Sequence, residues 1–527
     1  MVPRPVSPGP AEPLLPRFYA GRSILITGAT GFMGKVLVER ILATCPEVGR
    51  LHLLMRDKKG HTPQKRLAQL KQSQVFDSVR ARNHRQLDKL FAISGDVSKP
   101  HLGMDSEAIS QLREVSLVFH SAATLKFDEP LRVAIDQNVR SVQQLLDICD
   151  KLPNIEAFIH VSTAYSNAEL TCVEERVYPP PVPLEQVFTV ADTLPEELLA
   201  KISAEYISPK PNTYTFTKAL AENVVQEHGN KGYPVAIFRP TIVVSSLRHP
   251  YPGWIENLNG PSGVVVGAGK GLLHVFCCKD TARADMLPVD IAIDTLLAVA
   301  WETAVDRPEQ VRVYNCSTYE NPTTWGDFET AIRINLRGHP LDNTFWYPSG
   351  LVVENKVTQK TLETVLQTAP LHIAEYITKL LGIKTRMSLI TVSQRLIAMN
   401  EVLRFFSVRE WHFKTDNVKK LHARLSPQDT AIYNLDPKTI DWNDHYENFV
   451  IGTRKYLLNE KDQDIDVAKK HLRKMYYLHH GVMFFVVTLI CRLALQNQYI
   501  RTFVYRTFRM LLSILTTAYM QKKIVIL

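Results

Sequence analysis

The chain of 527 residues has little cysteine, and what it has is scattered. Cys45, Cys149, Cys172, Cys277, Cys278, Cys316 and Cys491 are odd in number and show no CxxC spacing. That argues against a disulfide framework and a zinc site, and fits a reducing compartment. The adjacent Cys277 and Cys278 read as two small buried side chains rather than a redox couple. The N-terminus lacks the apolar run of a secretion signal: residues 1–16 hold six prolines and almost nothing that packs, so the body is expected on the cytosolic side. Acidic residues are absent after Asp466, whereas ten Lys and Arg follow it. The net charge of +9 therefore sits in the tail; without those ten, 52 basic residues face 53 acidic ones. Basic residues interleaved with Leu, Ile, Val, Phe and Tyr suit an anionic membrane surface and speak against nucleic acid. The tail also lacks an unbroken span. Residues 478–491 and 510–521 are apolar, but each falls short of the roughly 18–20 residues a clean crossing needs. One crossing with Arg492 snorkelling, a re-entrant or interfacial pair, and two buried core helices stay open, with membrane attachment preferred.

What is present is ordinary in bulk and specific in pattern. A hydrophobic fraction of 45% with 22% charged residues predicts a sizeable core, and the length predicts two or three folded units. From Ser23 onward, short apolar runs (SILIT, LHLLMR, FAISGDV, LVFHSAA, FIHVSTAY, PVAIFRP) alternate with helix-length segments such as 35–44 and 133–149. This alternation predicts an α/β fold, a doubly wound parallel sheet of Rossmann type. A Pro-rich insertion at 178–183 precedes a helical stretch at 194–203. Beyond about residue 350 the strand alternation stops and helices follow at 371–381 and 388–404, ending in 442–460. No internal repeat is visible. Four segments result: a disordered Pro-rich N-terminus (1–19), a dinucleotide-binding domain with insertions (20–350), a mainly helical domain (351–466) and a basic, hydrophobic, membrane-associated tail (467–527).

Gly28, Gly31 and Gly34 fall between a strand and a helix. The first permits a tight turn, the second lets backbone approach a pyrophosphate, and the third allows close helix–strand packing. The helix N-terminus supplies free N–H groups and a favourable dipole. Thr27, Thr30 and Phe32 are candidate contacts in the same stretch. The next strand ends in Arg56, where a site for NAD carries an acid; a cation there suits the 2′-phosphate of NADPH, with the neighbouring Asp57 as a counter-signal. Asp96 and Val97 stand where such folds hold the adenine, and the small Ala122 and Ala123 where a nicotinamide ribose passes. Asn138 is a candidate brace.

Tyr214 and Lys218 form a Tyr-x-x-x-Lys pair, one helical turn apart on one face. The ammonium is expected to lower the phenol's pKa from about 10 so that Tyr214 delivers a proton, while also holding the nicotinamide ribose. Of the hydroxyls of Ser162 and Thr163, one is expected on the substrate oxygen, with Thr163 favoured. Arg239 reads as structural. No metal site is indicated.

The stretches TGATGFMGKVLVERIL, LLMRDKKG, HSAATLKFDEPL, HVSTAY, NTYTFTKALAE and FRPTIV together resemble the extended short-chain dehydrogenases, and within them the alcohol-forming fatty acyl-CoA reductases of animals and insects. GWIENLNGPSGVVVGAGKG, ADMLPVD, the region through FKTDNV and the hydrophobic C-terminus agree, so that the resemblance covers about residues 17–520. It implies a long-chain fatty acyl-CoA substrate, NADPH as cofactor, two successive hydride transfers and a primary fatty alcohol. It also implies an apolar channel walled by the insertion at about 168–210 and by the helical domain. Membrane lipid is the expected partner, with a cytosol-facing catalytic domain on endoplasmic reticulum, peroxisome or lipid droplet; a homo-oligomer stays open. Two other readings share the cofactor motifs: another membrane-bound dehydrogenase, such as a hydroxysteroid dehydrogenase, and a catalytically silent scaffold that binds NADP or lipid.

Overall fold

The computed structural model of the chain describes residues 13–382 and 388–496, together with 498, 500–502, 506 and 509. Seven strands form one sheet: β1 (Ser23–Thr27), β2 (Leu51–Met55), β3 (Leu90–Ser94), β4 (Val115–His120), β5 (Ala157–Val161), β6 (Val235–Pro240) and β7 (Arg312–Cys316). Their order is 3-2-1-4-5-6-7 and every neighbouring pair is parallel. Strands covered by helices on both faces need apolar side chains throughout, which is why these runs do not alternate. β1, β2, β4, β5 and β6 are buried at every position. The order reverses between β1 and β4, and this opens a crevice beyond their carboxyl ends.

Helix α1 (Phe32–Thr44) follows β1 directly, three residues earlier than the sequence suggested. The run expected at 133–149 is helical from Leu131–Ile135 through a π turn at Asp136–Arg140 into α2 (Ser141–Cys149). α3 (Thr213–His228) packs on the same sheet face as α2, whereas α1 and α4 (Val289–Asp306) cover the other. The insertion supplies two helices, Leu184–Thr193 and Glu196–Tyr206. Leu184, Val187, Ala191 and Leu199 join the core beneath residues 131–149, and Arg140 reaches Asp192 at 2.7 Å. These helices therefore buttress the outer layer.

Two further expectations change. Residues 1–19 were read as disordered, but Leu14–Tyr19 form a helix with Leu15 and Tyr19 fully buried. The backbone N–H groups of Leu14 and Leu15 donate to the Asp429 carboxylate at 3.0 Å, a contact across the whole chain that local composition does not reveal. The boundary at 350 is also bridged, because the short strands Val275–Cys277 and Leu351–Val353 pair in parallel. A second ladder joins Cys172–Val173 to His412–Phe413. Cys277 and Cys278 are buried and unbridged.

Beyond 353 come α5 (Lys356–Glu363), a π turn at Thr364–Thr368, α6 (Ala369–Leu380) and α7 (Leu389–Ser407). The last described helix is α8 (Ile465–Gln496). Asp462–Ala494 is a 33-residue helical stretch with an 18-residue apolar window of mean hydropathy 1.5, none of it buried, long and apolar enough to cross a membrane. Arg492 lies within this one helix, so the first apolar run extends further than the sequence suggested. The second run, 510–521, lies outside the described residues. Where α8 leaves the body, Thr344 carbonyl oxygen accepts from His471 at 2.8 Å and Trp346 Nε1 donates to His479 at 2.8 Å.

Candidate active site

The turn after β1 is shaped by what it leaves no room for. Gly28 has φ +73°, and a Cβ there would stand 2.8 Å from the Ala122 nitrogen. A Cβ on Gly34 would strike the Gly28 carbonyl oxygen and lie 2.7 Å from the Ala29 Cα. Backbone alone thus forms the cradle, and the Gly31 N–H closes the turn on the Gly28 carbonyl at 2.9 Å. Thr27 behaves differently from expectation. Its hydroxyl accepts from the Ser121 and Ala122 N–H groups at 3.1 Å and bonds His120 Nδ1 at 2.8 Å. It bolts β1 to β4 and is fully buried, so its side chain does not face the crevice. Phe32 is partly buried between two core clusters. Ala122 and Ala123 follow β4 at the crevice, partly exposed. Asn138 accepts from the Thr124 N–H at 2.8 Å and donates to the Thr217 hydroxyl at 2.9 Å, tying this loop to α3.

Beyond the ends of β2 and β3 stands a cationic corner. Arg56, after β2, is half exposed and lies 3.7 Å from Asp96, which follows β3. Although burial works the other way, hydrogen bonds from Ser98 and the nearby Arg56 hold the Asp96 carboxyl below its usual value. Val97 packs on the core. Arg66 belongs here too, and the sequence reading missed it. From the helix Pro63–Lys71 its guanidinium donates to the Arg56 carbonyl at 2.7 Å and to the Thr30 hydroxyl at 3.3 Å. No strand-end motif marks a residue arriving from a separate helix.

Asn212 caps α3, its side chain accepting from the Thr215 N–H at 2.9 Å. Two residues further on stands Tyr214, whose phenol feels the neighbouring Thr163 hydroxyl. Lys218, one turn deeper, donates to the Val161 carbonyl at 2.8 Å. Ser162 is turned away: its hydroxyl donates to Glu222 at 2.5 Å, and Glu222 is gripped by Arg239 at 2.6 Å. Thr163 is therefore the hydroxyl that meets the phenol, and Ser162 drops out as its rival. Arg239 is structural, as read.

The electrostatics also differ from expectation. Burial pushes the Tyr214 phenol well above its ordinary value, with Glu222 adding to the effect and Thr163 opposing it. The anticipated lowering by Lys218 does not occur, because the ammonium lies on a backbone carbonyl and burial pulls its own pKa down to about 8. Beneath it, the rings of His120 and His160 lie 5.6 Å apart. Burial and the Lys218 charge bring His120 down to about 3 and hold His160 well below its usual value, so both are neutral.

A cluster of rings covers the phenol, and this too was not foreseen. Phe127 meets Tyr214 edge-on at 5.7 Å and stacks on Phe406 at 5.9 Å. Tyr165 touches Phe406 and Trp411, both at 5.2 Å. Phe406 and Trp411 come from the helical region some 200 residues beyond the sheet's active-site loops. The part of the insertion that joins this cluster, with Ala168 and Val173, precedes the two buttress helices.

Comparison with known proteins decides the family. A family model described as Male sterility protein matches residues 26–296, and a second with the same description matches 366–460. Fatty acyl-CoA reductase 1 of Xenopus laevis is 38% identical over 480 residues, 91% of this chain and 93% of that protein. The chain belongs to the fatty acyl-CoA reductases. Fatty acyl-CoA reductase 1 of Homo sapiens is 37% identical over 483 residues, covering 91% of this chain and 93% of its own length. Fatty acyl-CoA reductase 2 of Bos taurus is 38% identical over 469 residues, 89% and 90% of the two chains. Membership makes the chain an oxidoreductase with an NAD(P)-binding domain. Among solved structures, the terminal reductase domain of the myxalamid pathway aligns with TM-score 0.55 at 18% identity, covering 82% of this chain and 91% of that one. That likeness concerns the fold alone.

Proposed function

We propose that this fatty acyl-CoA reductase converts a long-chain acyl-CoA to a primary fatty alcohol and free coenzyme A, using NADPH. The observation that carries the reading is the placing of Tyr214 beside Thr163, with Lys218 one helical turn away and an apolar ring cluster against the phenol. When bound, NADPH supplies the hydride, once to the thioester and once to the aldehyde. The glycine turn fits its pyrophosphate, since Gly28 and Gly34 allow backbone contacts too close for any Cβ and so bring the turn's N–H groups to the start of the helix. Arg56 and Arg66 suit a 2′-phosphate, with the Thr30 hydroxyl between them, and Asp96 borders the adenine side. The small Ala122 and Ala123 would leave room for the nicotinamide ribose, and the Lys218 ammonium would hold it.

The remaining steps belong to the chain's own groups. Tyr214 and Thr163 donate hydrogen bonds to the oxygen that gains charge when the thioester carbonyl is attacked. Collapse expels the thiolate of coenzyme A and leaves the aldehyde beside the same donors. Tyr214, kept protonated by burial, then gives its proton to the alkoxide. Phe127, Phe406 and Trp411 exclude water and give the acyl chain an apolar neighbour. α8 attaches the enzyme to a membrane whose lipids are the substrate's surroundings, with the catalytic body on the cytosolic side.

The test is turnover of the purified full chain with a C16 acyl-CoA and NADPH, with extraction of the lipid products. Fatty alcohol at two NADPH per molecule, abolished in Tyr214→Phe, is the expected outcome. Aldehyde as the sole product would remove the second step. Equal use of NADH would remove the role given to Arg56 and Arg66, and the absence of turnover at any acyl length would overturn the reading.

A further inference from the structure

The helical segment formed by α5, the π turn and α6 is inside out for a protein in water. A surface helix normally turns its apolar stripe to the core and its polar residues to solvent. Here Gln359 and Gln367 are 1% exposed and Glu363 and Glu375 are 5%, whereas Tyr376 is 70% and Leu380 74% exposed. Ile373 and Ile377 share the outward face of α6, at the three- and four-residue spacing of a single stripe.

The inversion is built in, because each inward side chain has at least one partner, although Gln359 Oε1 and Gln367 Nε2 are buried without one. Glu363 accepts from Gln359 at 3.1 Å and from Asn400 on α7 at 2.5 Å. Gln367 accepts the His274 N–H at 3.1 Å. Glu375 accepts from the Ser388 hydroxyl at 2.9 Å and the Ile390 N–H at 3.1 Å, at the start of α7. A rotation that buried Ile373 and Leu380 would strand these groups, so the apolar face is fixed outward.

Continuity with α8 indicates what covers it. His274, bonded to Gln367 through its N–H, donates from its ring to the Ser349 carbonyl at 2.7 Å. Three residues back in the same loop, Trp346 bonds His479 of α8, and Tyr347 packs edge-on against Tyr476 at 5.3 Å. The stripe thus belongs to the part of the body from which the apolar helix emerges. Lys469, Lys470, Arg473 and Lys474 precede that point, as expected next to anionic headgroups.

We infer that the outward face of α6 lies in the headgroup–acyl boundary of a lipid bilayer, as a second membrane contact beside α8. This rests on the reading of α8 as a membrane helix. An interfacial helix buries its apolar face about 5–10 Å below the headgroups, which is compatible with side chains of this size. The contact fixes the tilt of the catalytic body on the membrane, which one flexible anchor would leave free.

The experiment uses the full chain carrying Cys172→Ser and Cys491→Ser, since the other cysteines are buried. Single sites are introduced by Leu380→Cys, by Phe485→Cys in α8 and by Glu185→Cys on the exposed insertion helix, and each is labelled with an environment-sensitive fluorophore. The proteins are reconstituted in phosphatidylcholine vesicles with and without nitroxide on the lipid acyl chains. Severalfold quenching by nitroxide lipid at 380, together with protection from aqueous iodide, and neither at 185, is the expected result. Quenching at 485 while 380 behaves like 185 overturns the inference and leaves the reading of α8 intact. Quenching at neither 380 nor 485 overturns both. Protection from iodide at 380 without nitroxide quenching means that protein, such as a second copy, covers the face, and this also overturns the inference.

Discussion

α3 and the α5–α6 segment both turn polar side chains inward, and they do so to opposite ends. On α3 most residues are buried, polar and apolar alike; Tyr214 and Lys218 serve the crevice, while Glu222 holds Ser162 and Arg239 away from it. On α5–α6 the inward polar groups meet only structural partners and hold an apolar face away from the protein. Buried polar groups are affordable in either place only because they are paired. The pairing of a buried polar group therefore identifies its role better than its burial does.

The comparison is tested most severely at the phenol. Tyr214→Phe should lower kcat by about 10²- to 10⁴-fold, the usual range for a lost general acid, with NADPH affinity by fluorescence unchanged. A comparable kcat would make α3 a structural helix and dissolve the contrast. Next comes the cationic corner. Arg56→Ala and Arg66→Ala should each weaken NADPH binding by about ten- to a hundredfold, as expected for a lost charge-assisted hydrogen bond, and leave NADH binding nearly unchanged. Titration with the two nucleotides distinguishes this from general damage.

At the α5–α6 segment, Asn400→Ala on the neighbouring α7 removes a side chain that donates to both the Val275 carbonyl and Glu363 and accepts from the Cys277 N–H. It should cost about 1–3 kcal/mol for each buried group left unpaired, read by urea unfolding, with little effect on the nucleotide site. The smallest effect concerns pH. Burial brings Lys218 down from 10.5 to about 8, so its positive charge is complete below that value and lost above it. NADPH affinity should fall as pH rises through about 8, whereas Lys218→Arg, which stays charged, should give a flatter profile. A profile indifferent to that substitution would remove Lys218 from cofactor binding.

The sheet was legible because strands covered on both faces have to be continuous apolar runs, and the glycine turn and Tyr214–Lys218 pair stand at fixed offsets from them. Orientation was less legible. Ser162 and Thr163 are chemically alike neighbours, and only the position of Glu222 decides which one turns inward. Arg66, Phe406 and Trp411 reach the crevice from separate elements, so that no local spacing announces them. The period of α6 was visible, but period identifies a stripe without saying what it faces. The Gln359, Glu363 and Gln367 spacing, four residues each time, was the available sign that the polar side is the one that packs. The helix Leu14–Tyr19 escaped notice because its partner Asp429 lies at the far end of the chain.

The protonated Tyr214 has a consequence for the direction of flux. Oxidising an alcohol at this crevice would require a phenolate to take the hydroxyl proton, and burial disfavours that anion at neutral pH. The route from thioester to alcohol starts from the populated form of the enzyme and the way back from a rare one, so alcohol oxidation should quicken as pH rises, while the equilibrium stays that of the reactants.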